Sequence, residues 1–317
     1  MRRNPFLTAA LAGLLSLTAL PVLAETSFTI LGTRGGPVAV PHRSQPANVL
    51  NVDGILSLVD AGDGTAQQLS KMRVMPRDLE NVFISHLHGD HFGGLLAILA
   101  LRLQTDVVKP LQVYGPPGTD DMVAGILAAL APAMEAGYGV GAEPIKPEDL
   151  AVAHIIMPGD QLTVGKIEVT TADNTHYSFA PDSPQAGKYH SLSFRFKTPD
   201  RTIVYTGDTG PSPDVEELAK GADLLIGEVI ELDSVIAATR MAVPNMPDDK
   251  VNFLKKHLSE HHLLPADLGK LATASGAPEL VVTHIAAGLK EDLDAINSGI
   301  ASTYEGKVTI ANDMDKF

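Results

Sequence analysis

Apolar runs along this chain, each closed by glycine, proline or acidic turn residues, predict a series of strands with helices between them. Residues 27–31 read as a first strand, closed by Gly32-Thr33-Arg34-Gly35-Gly36-Pro37. That stretch lacks the lysine and hydroxyl of a phosphate-cradling loop, so it reads as a tight turn. Residues 47–52 and 55–59 flank Asp53-Gly54, a strong hairpin signal. Next come an expected helix over 65–72, a strand over 82–85, a helix over 92–103, a strand over 111–114 and an Ala/Leu-rich helix over 119–134. Residues 137–147 carry Gly and Pro and read as a loop. The second half repeats the grammar, with strands over 153–157, 166–171, 191–197, 202–206, 223–226 and 279–283 and a helix over 265–275. Strands followed by helices thus occur twice without a long linker. That fits an α/β fold of two packed sheets with helices on the outer faces.

Composition narrows the class. The chain has 317 residues, of which 44% are hydrophobic and 20% charged, so it can bury a sizeable core. Arg2 and Arg3, the mostly apolar stretch 6–20 and Val22-Leu23-Ala24 read as a signal peptide over residues 1–24, leaving one domain over 25–317. A retained anchor is the alternative, but the stretch is shorter than the about 20 residues that span a bilayer. The expected location is therefore periplasmic or secreted. The leader holds two arginines and no acid, so cleavage takes the formal charge from −14 to −16. Such an acidic chain argues against a nucleic-acid partner. Cysteine is absent, which excludes disulfides and limits any metal site to His and carboxylate ligands.

The chemistry concentrates in His86-Leu87-His88-Gly89-Asp90-His91, between a strand and a helix. Three imidazoles and a carboxylate in one turn are the donors that zinc and similar divalent cations take. Three more candidates follow expected strand ends: His176, Asp208 in Tyr205-Thr206-Gly207-Asp208-Thr209-Gly210, and His284 in Val281-Val282-Thr283-His284. Placed at one sheet edge, they would face a common cleft. Asp60, Asp63 and Glu228 are candidates to orient metal-bound imidazoles from behind. His42 reads as a surface-loop residue with the cleft rim as the alternative, His190 likewise as a surface residue before a strand with a reach to substrate as the alternative, and His154 and His257 as structural or exposed.

The order His-x-His-x-Asp-His, then His, then Gly-Asp-Thr, then Thr-His resembles the metallo-β-lactamase superfamily over nearly the whole mature chain. The resemblance implies a four-layer αββα sandwich of two mixed sheets with the site at their edge. It implies two divalent cations, most simply Zn2+, with Mn or Fe as alternatives. His86, His88 and His176 would hold the first, Asp90, His91 and His284 the second, and Asp208 would bridge them. Gly115-Pro116-Pro117-Gly118-Thr119 and His262-Leu263-Leu264-Pro265 resemble the ribonuclease Z and arylsulfatase-like branch. There a histidine at the His262 position assists catalysis near the Asp90 carboxylate, although His261 is adjacent and Leu264 stands where a hydroxyl is common. The missing cysteine and the present Asp208 separate the chain from the β-lactamases themselves. A segment matching the long tRNA-gripping arm of many ribonuclease Z proteins is not seen. The implied activity is hydrolysis of phosphate or sulfate esters of a small molecule by a hydroxide held between the cations. A lactonase or β-lactam hydrolase, or a non-catalytic periplasmic metal- or ligand-binding protein, are the alternatives. A homo-oligomer is left open.

Overall fold

A computed structural model describes residues 25–105, 109–137, 145–288 and 290–317. The expected leader, its cleavage site and the anchor alternative lie outside the described residues. Among the described residues no helix is long and apolar enough to cross a membrane.

Among the described residues, thirteen strands form two sheets. The first holds β1 (Thr26–Gly32), β2 (Ala47–Val52), β3 (Ile55–Ala61), β4 (Leu79–Phe83), β5 (Leu111–Gly115) and β6 (Ala151–Ile155), side by side in that order. The second holds β7 (Gln161–Val164), β8 (Ile167–Asp173), β9 (Leu192–Lys197), β10 (Thr202–Tyr205), β11 (Leu224–Ile230), β12 (Glu279–Ala286) and β13 (Lys307–Ile310), likewise in sequence order. Both sheets are mixed. Strands β3 to β6 are parallel in the first, and β10 to β13 in the second. Parallel strands put their carboxyl ends on one edge, where open α/β sheets present ligand sites.

The helices are α1 (Thr65–Lys71), α2 (Gly89–Phe92), α3 (Leu95–Gln104), α4 (Thr119–Ala136), α5 (Pro147–Leu150), α6 (Pro213–Ala219), α7 (Leu232–Ala242), α8 (Asp248–His261), α9 (Pro265–Ser275) and α10 (Leu293–Ala301). Three apolar clusters mark the layers. Phe28, Ile30, Phe83, Phe194, Phe196 and Ile226 fill the space between the sheets. Leu58, Val82, Leu99, Val113 and Leu127 join the first sheet to α3 and α4. Leu225, Val282, Leu268, Leu271 and Ile300 join the second to α9 and α10. The four-layer αββα sandwich read from the sequence is the observed fold.

Three local expectations need correction. The helix expected over 92–103 is broken into α2 and α3 at Gly93-Gly94. Gly94 packs against the end of β3 and donates its N–H to the Ala61 carbonyl at 2.8 Å, and a Cβ there would overlap the Gly62 carbonyl oxygen. β12 does not end before His284 but runs on to Ala286. Helices α7 and α8, between β11 and His262, add two elements that the sequence reading did not include.

Candidate metal centre

Each candidate ligand is delivered by a different local device. β4 ends at Phe83, and the following Ile84 and Ser85 lead into the histidine turn, whose second half is α2. His176 and Asp208 stand on loops after β8 and β10. His284 sits inside β12, at a register shift: Gly227 pairs with Val282 and Val229 with Ile285, so Glu228 alone opposes Thr283 and His284. Such a bulge re-aims a side chain. His284 there has φ 41°, a left-handed conformation uncommon outside glycine.

These devices bring all seven residues together. One metal-sized set comprises His86, His88 and His176, and another Asp90, His91 and His284. The ring nitrogen His88 Nδ1 lies 3.1 Å from His86 Nε2 and 2.9 Å from His176 Nε2. Asp208 stands between the sets, with Oδ1 3.3 Å from His91 Nε2 and 3.2 Å from His284 Nε2, and Oδ2 3.8 Å from His176 Nε2. Despite these approaches His91 Nε2, His284 Nε2 and Asp208 Oδ1 are buried without a hydrogen-bond partner. Orphaned buried polar atoms are costly, and donor atoms aimed at one point are what a cation needs. The residues therefore fit a pair of divalent cations.

Protonation divides the two sets. Burial holds His86 well below the usual histidine range, helped by His91 and His176. Burial likewise lowers His88, and it lowers His176 to about 4. This set is neutral, as ligands must be. Burial opposes charge on His91 and His284 too, but the carboxylates prevail. Asp208 and Asp60 raise His91 well above its ordinary value, and Asp208, Asp90 and Glu228 raise His284 to about 10. Burial favours a neutral Asp208 and Asp90. His284 and His91 outweigh it and hold both carboxyls well below the usual range.

A second layer fixes the first. Asp60 is fully buried, at another register shift and with φ 57°. Its carboxylate lies 2.8 Å from His91 Nδ1 and accepts from Tyr205 Oη at 2.8 Å and from the Ser85 hydroxyl and N–H at 2.8 Å each. Glu228 contacts His262 Nδ1 at 3.0 Å through both oxygens and accepts from the Thr209 N–H at 2.8 Å. Asp63, by contrast, is exposed and is not brought to the site. The choice between His261 and His262 resolves: His262 lines the cleft, whereas His261 Nδ1 turns to the Thr175 carbonyl at 2.5 Å. Burial would lower His262, but Glu228 raises it.

The cleft above these residues has a volume of about 520 Å³. Its walls correct one reading. Gly36 and Pro37 form the rim rather than a plain turn, and Gly36 packs so closely on Asp90 that a Cβ would overlap the carboxylate. His257 is exposed, as expected, and lines the cleft from α8. The Tyr177 hydroxyl accepts from the Leu87 N–H at 3.0 Å and so pins the histidine turn, and burial pushes it up to about 12. His42, on the surface as expected, pairs with Glu291, and His190 pairs with Asp173.

An αββα sandwich with His and Asp donors converging at its sheet edge defines a class of metallo-hydrolase. The description "Beta-lactamase superfamily domain" matches residues 57–285, and the chain belongs to this family. The ribonuclease Z of Mycobacterium marinum is 29% identical over 298 residues, covering 91% of this chain and 97% of that protein. Among solved structures, the metallo-beta-lactamase fold protein YhfI from Bacillus subtilis superposes with a TM-score of 0.67 at 19% identity, covering 92% of this chain and 98% of that one. Human tRNase Z, short form, gives 0.63 at 24% identity over 92% and 98%. These findings overturn one expectation. Net charge argued against a nucleic-acid partner, yet relatives spanning nearly the whole chain are ribonucleases. Overall charge reports the whole surface, not one cleft, and the conclusion did not follow from it.

Proposed function

We propose that this chain is a two-cation phosphodiesterase. The observation that carries the reading is the convergence of buried, unpartnered donor atoms on His91, His284 and Asp208 beside the three neutral imidazoles. His86, His88 and His176 would hold one zinc ion, Asp90, His91 and His284 the other, with Asp208 shared. When bound, the cations supply an acidified water and positive charge at the attacked centre. Kinship with ribonuclease Z supports a phosphate ester over a sulfate ester or lactone.

The protein's own groups complete the chemistry. Asp90 stays ionised and, on the floor of the cleft, can accept a hydrogen bond that orients the attacking water. His262 binds Glu228 through Nδ1, which leaves Nε2 for the cleft. Its raised pKa keeps a proton there near neutral pH, and the leaving oxygen can take it. Glu228 fixes the ring and stabilises its charged form. The leader read from residues 1–24 supports action outside the cytoplasm.

The test is a zinc-loaded preparation of residues 25–317 assayed on bis(p-nitrophenyl) phosphate, p-nitrophenyl sulfate and an aryl lactone. Turnover of the phosphodiester, lost in Asp90→Ala, is expected. Phosphodiester rates no higher than those of Asp90→Ala would reject the reading. N-terminal sequencing of the chain from a periplasmic fraction tests export, with Glu25 as the expected first residue.

A further inference from the structure

We infer that α8 carries a stacking subsite, in which Phe253 and His257 receive a planar aromatic group, nucleobase or aryl, attached to the ester. The inference rests on the phosphodiesterase reading above and names the part of the substrate that does not react.

Phe253, His257 and His261 are spaced four apart on α8 and so share one face. Their rings follow one another along it. His257 lies 4.7 Å from His261 with 54° between the planes, and the Phe253 ring lies 6.3 Å from His257 with only 6° between the planes. His261 is fixed beside the metal ligands, because its Nδ1 meets the Thr175 carbonyl and its carbonyl meets His176 Nδ1 at 3.1 Å. His257 lines the metal cleft itself. Phe253 is 70% exposed. Four residues of helix rise about 6 Å, so along α8 the rings run from His261, fixed beside His176, through His257 in the cleft to exposed Phe253.

The rest of the cleft gives the reason to prefer stacking. Among the described residues lining the cavity there is no Lys or Arg. The non-reacting side of the substrate therefore finds no lysine or arginine to pair with there. Flat faces are what α8 offers, and any base or aryl ring has a π-face to set against them.

The experiment holds the leaving group constant and varies the other substituent. Zinc-loaded protein is assayed on the p-nitrophenyl phosphodiesters of methanol, phenol and thymidine 5′-hydroxyl. In the wild type, kcat/KM is expected to be higher for the phenyl and thymidine esters than for the methyl ester. Phe253→Leu, which keeps an apolar side chain without a ring, should lower the aromatic-to-methyl ratio by about fivefold or more. Phe253→Tyr should restore it, and Met241→Ala, which removes an equally exposed apolar side chain from α7, should leave it at the wild-type value. Equal loss for both ring-bearing esters would assign the site to any aryl group, and loss for thymidine alone to nucleobases. A second readout does not need turnover: 2-aminopurine riboside 5′-monophosphate should be quenched by the wild type and not by Phe253→Leu. Quenching without turnover on any ester would reject the phosphodiesterase reading and keep the subsite. An unchanged ratio together with unchanged quenching in Phe253→Leu would overturn the subsite.

Discussion

Glu228 faces His284 across the bulge between β11 and β12, its Oε2 3.7 Å from His284 Nδ1. The same carboxylate grips His262 at 3.0 Å. One buried acid thus positions a candidate ligand and a candidate proton donor together. Asp60 does the corresponding work for the histidine turn from a second bulge, in β3. In both sheets an interruption of strand register supports the site, and the regular strands on either side hold it rigid.

Replacing Glu228 should make stability depend on pH in a defined way. In the metal-free protein Glu228 lies below its ordinary value, burial opposing and His262 prevailing, and His262 lies above its own. The Glu228 contribution is therefore present above about pH 4.5 and lost as pH falls through the lowered value. The His262 contribution is full below about pH 6.5 and lost as pH rises through the raised value. That of His284 persists further, toward about 10. Glu228→Gln should cost about 1–3 kcal/mol between those limits and progressively less toward pH 10. Urea unfolding of chelator-treated protein at pH 5.5 and 9.5 measures it, and an equal deficit at both would count against the pairing.

Asp60→Asn should weaken metal binding without touching a metal. Its carboxylate accepts from Ser85 and Tyr205 and fixes the His91 tautomer. Loss of such a partner costs about 10–100-fold in metal affinity. Tyr205→Phe removes one of the hydrogen bonds and leaves the carboxylate, so its effect should be smaller. Competition against a chromophoric zinc chelator ranks the two variants, and a reversed order would refute the assignment.

Much of this site was legible in the sequence because several of its ligands follow strand ends, where apolar runs stop abruptly. Val82 and Phe83 lead to His86, and Val204 and Tyr205 to Asp208, whereas His284 interrupts β12 from within. The glycine rim and α8 were not legible, for different physical reasons. Gly36 matters through what its missing Cβ avoids, and that depends on Asp90, distant in sequence. His257 reaches the cleft only because α8 is tied to Thr175 and His176, a tertiary contact with no periodic trace. The nucleic-acid expectation failed because overall charge was allowed to speak for one cleft.

Asp208→Ala should reduce bound metal most among the single ligand variants. It removes the carboxylate that stands between the two donor sets and leaves His91 and His284 facing each other. Elemental analysis after dialysis should fall from about two zinc ions per chain to one or fewer. The wild type should melt higher with zinc than after chelation, since a ligand that binds only the folded state stabilises it. His154→Ala, at a partly buried position beside Gln112, should retain the wild-type metal content. A full complement of zinc in Asp208→Ala would show that the carboxylate is not shared.

Gly36→Ala offers a test that no ligand mutation provides. The added methyl would overlap the Asp90 carboxylate, while the fold around it stays anchored: Gly35 donates to the Ile285 carbonyl at 3.0 Å and Arg34 to the Ser44 carbonyl at 2.9 Å. Either the rim loop or Asp90 must shift. Shifts of about 1 Å at a reacting centre can cost about 100-fold in rate. The expected result is therefore a large fall in kcat on bis(p-nitrophenyl) phosphate with zinc content and far-UV circular dichroism close to the wild type. If Asp90 moves off a cation instead, zinc content falls with the rate, which still places Gly36 as the residue that positions Asp90. Wild-type kcat would mean that the rim loop yields freely and that Asp90 does not depend on it.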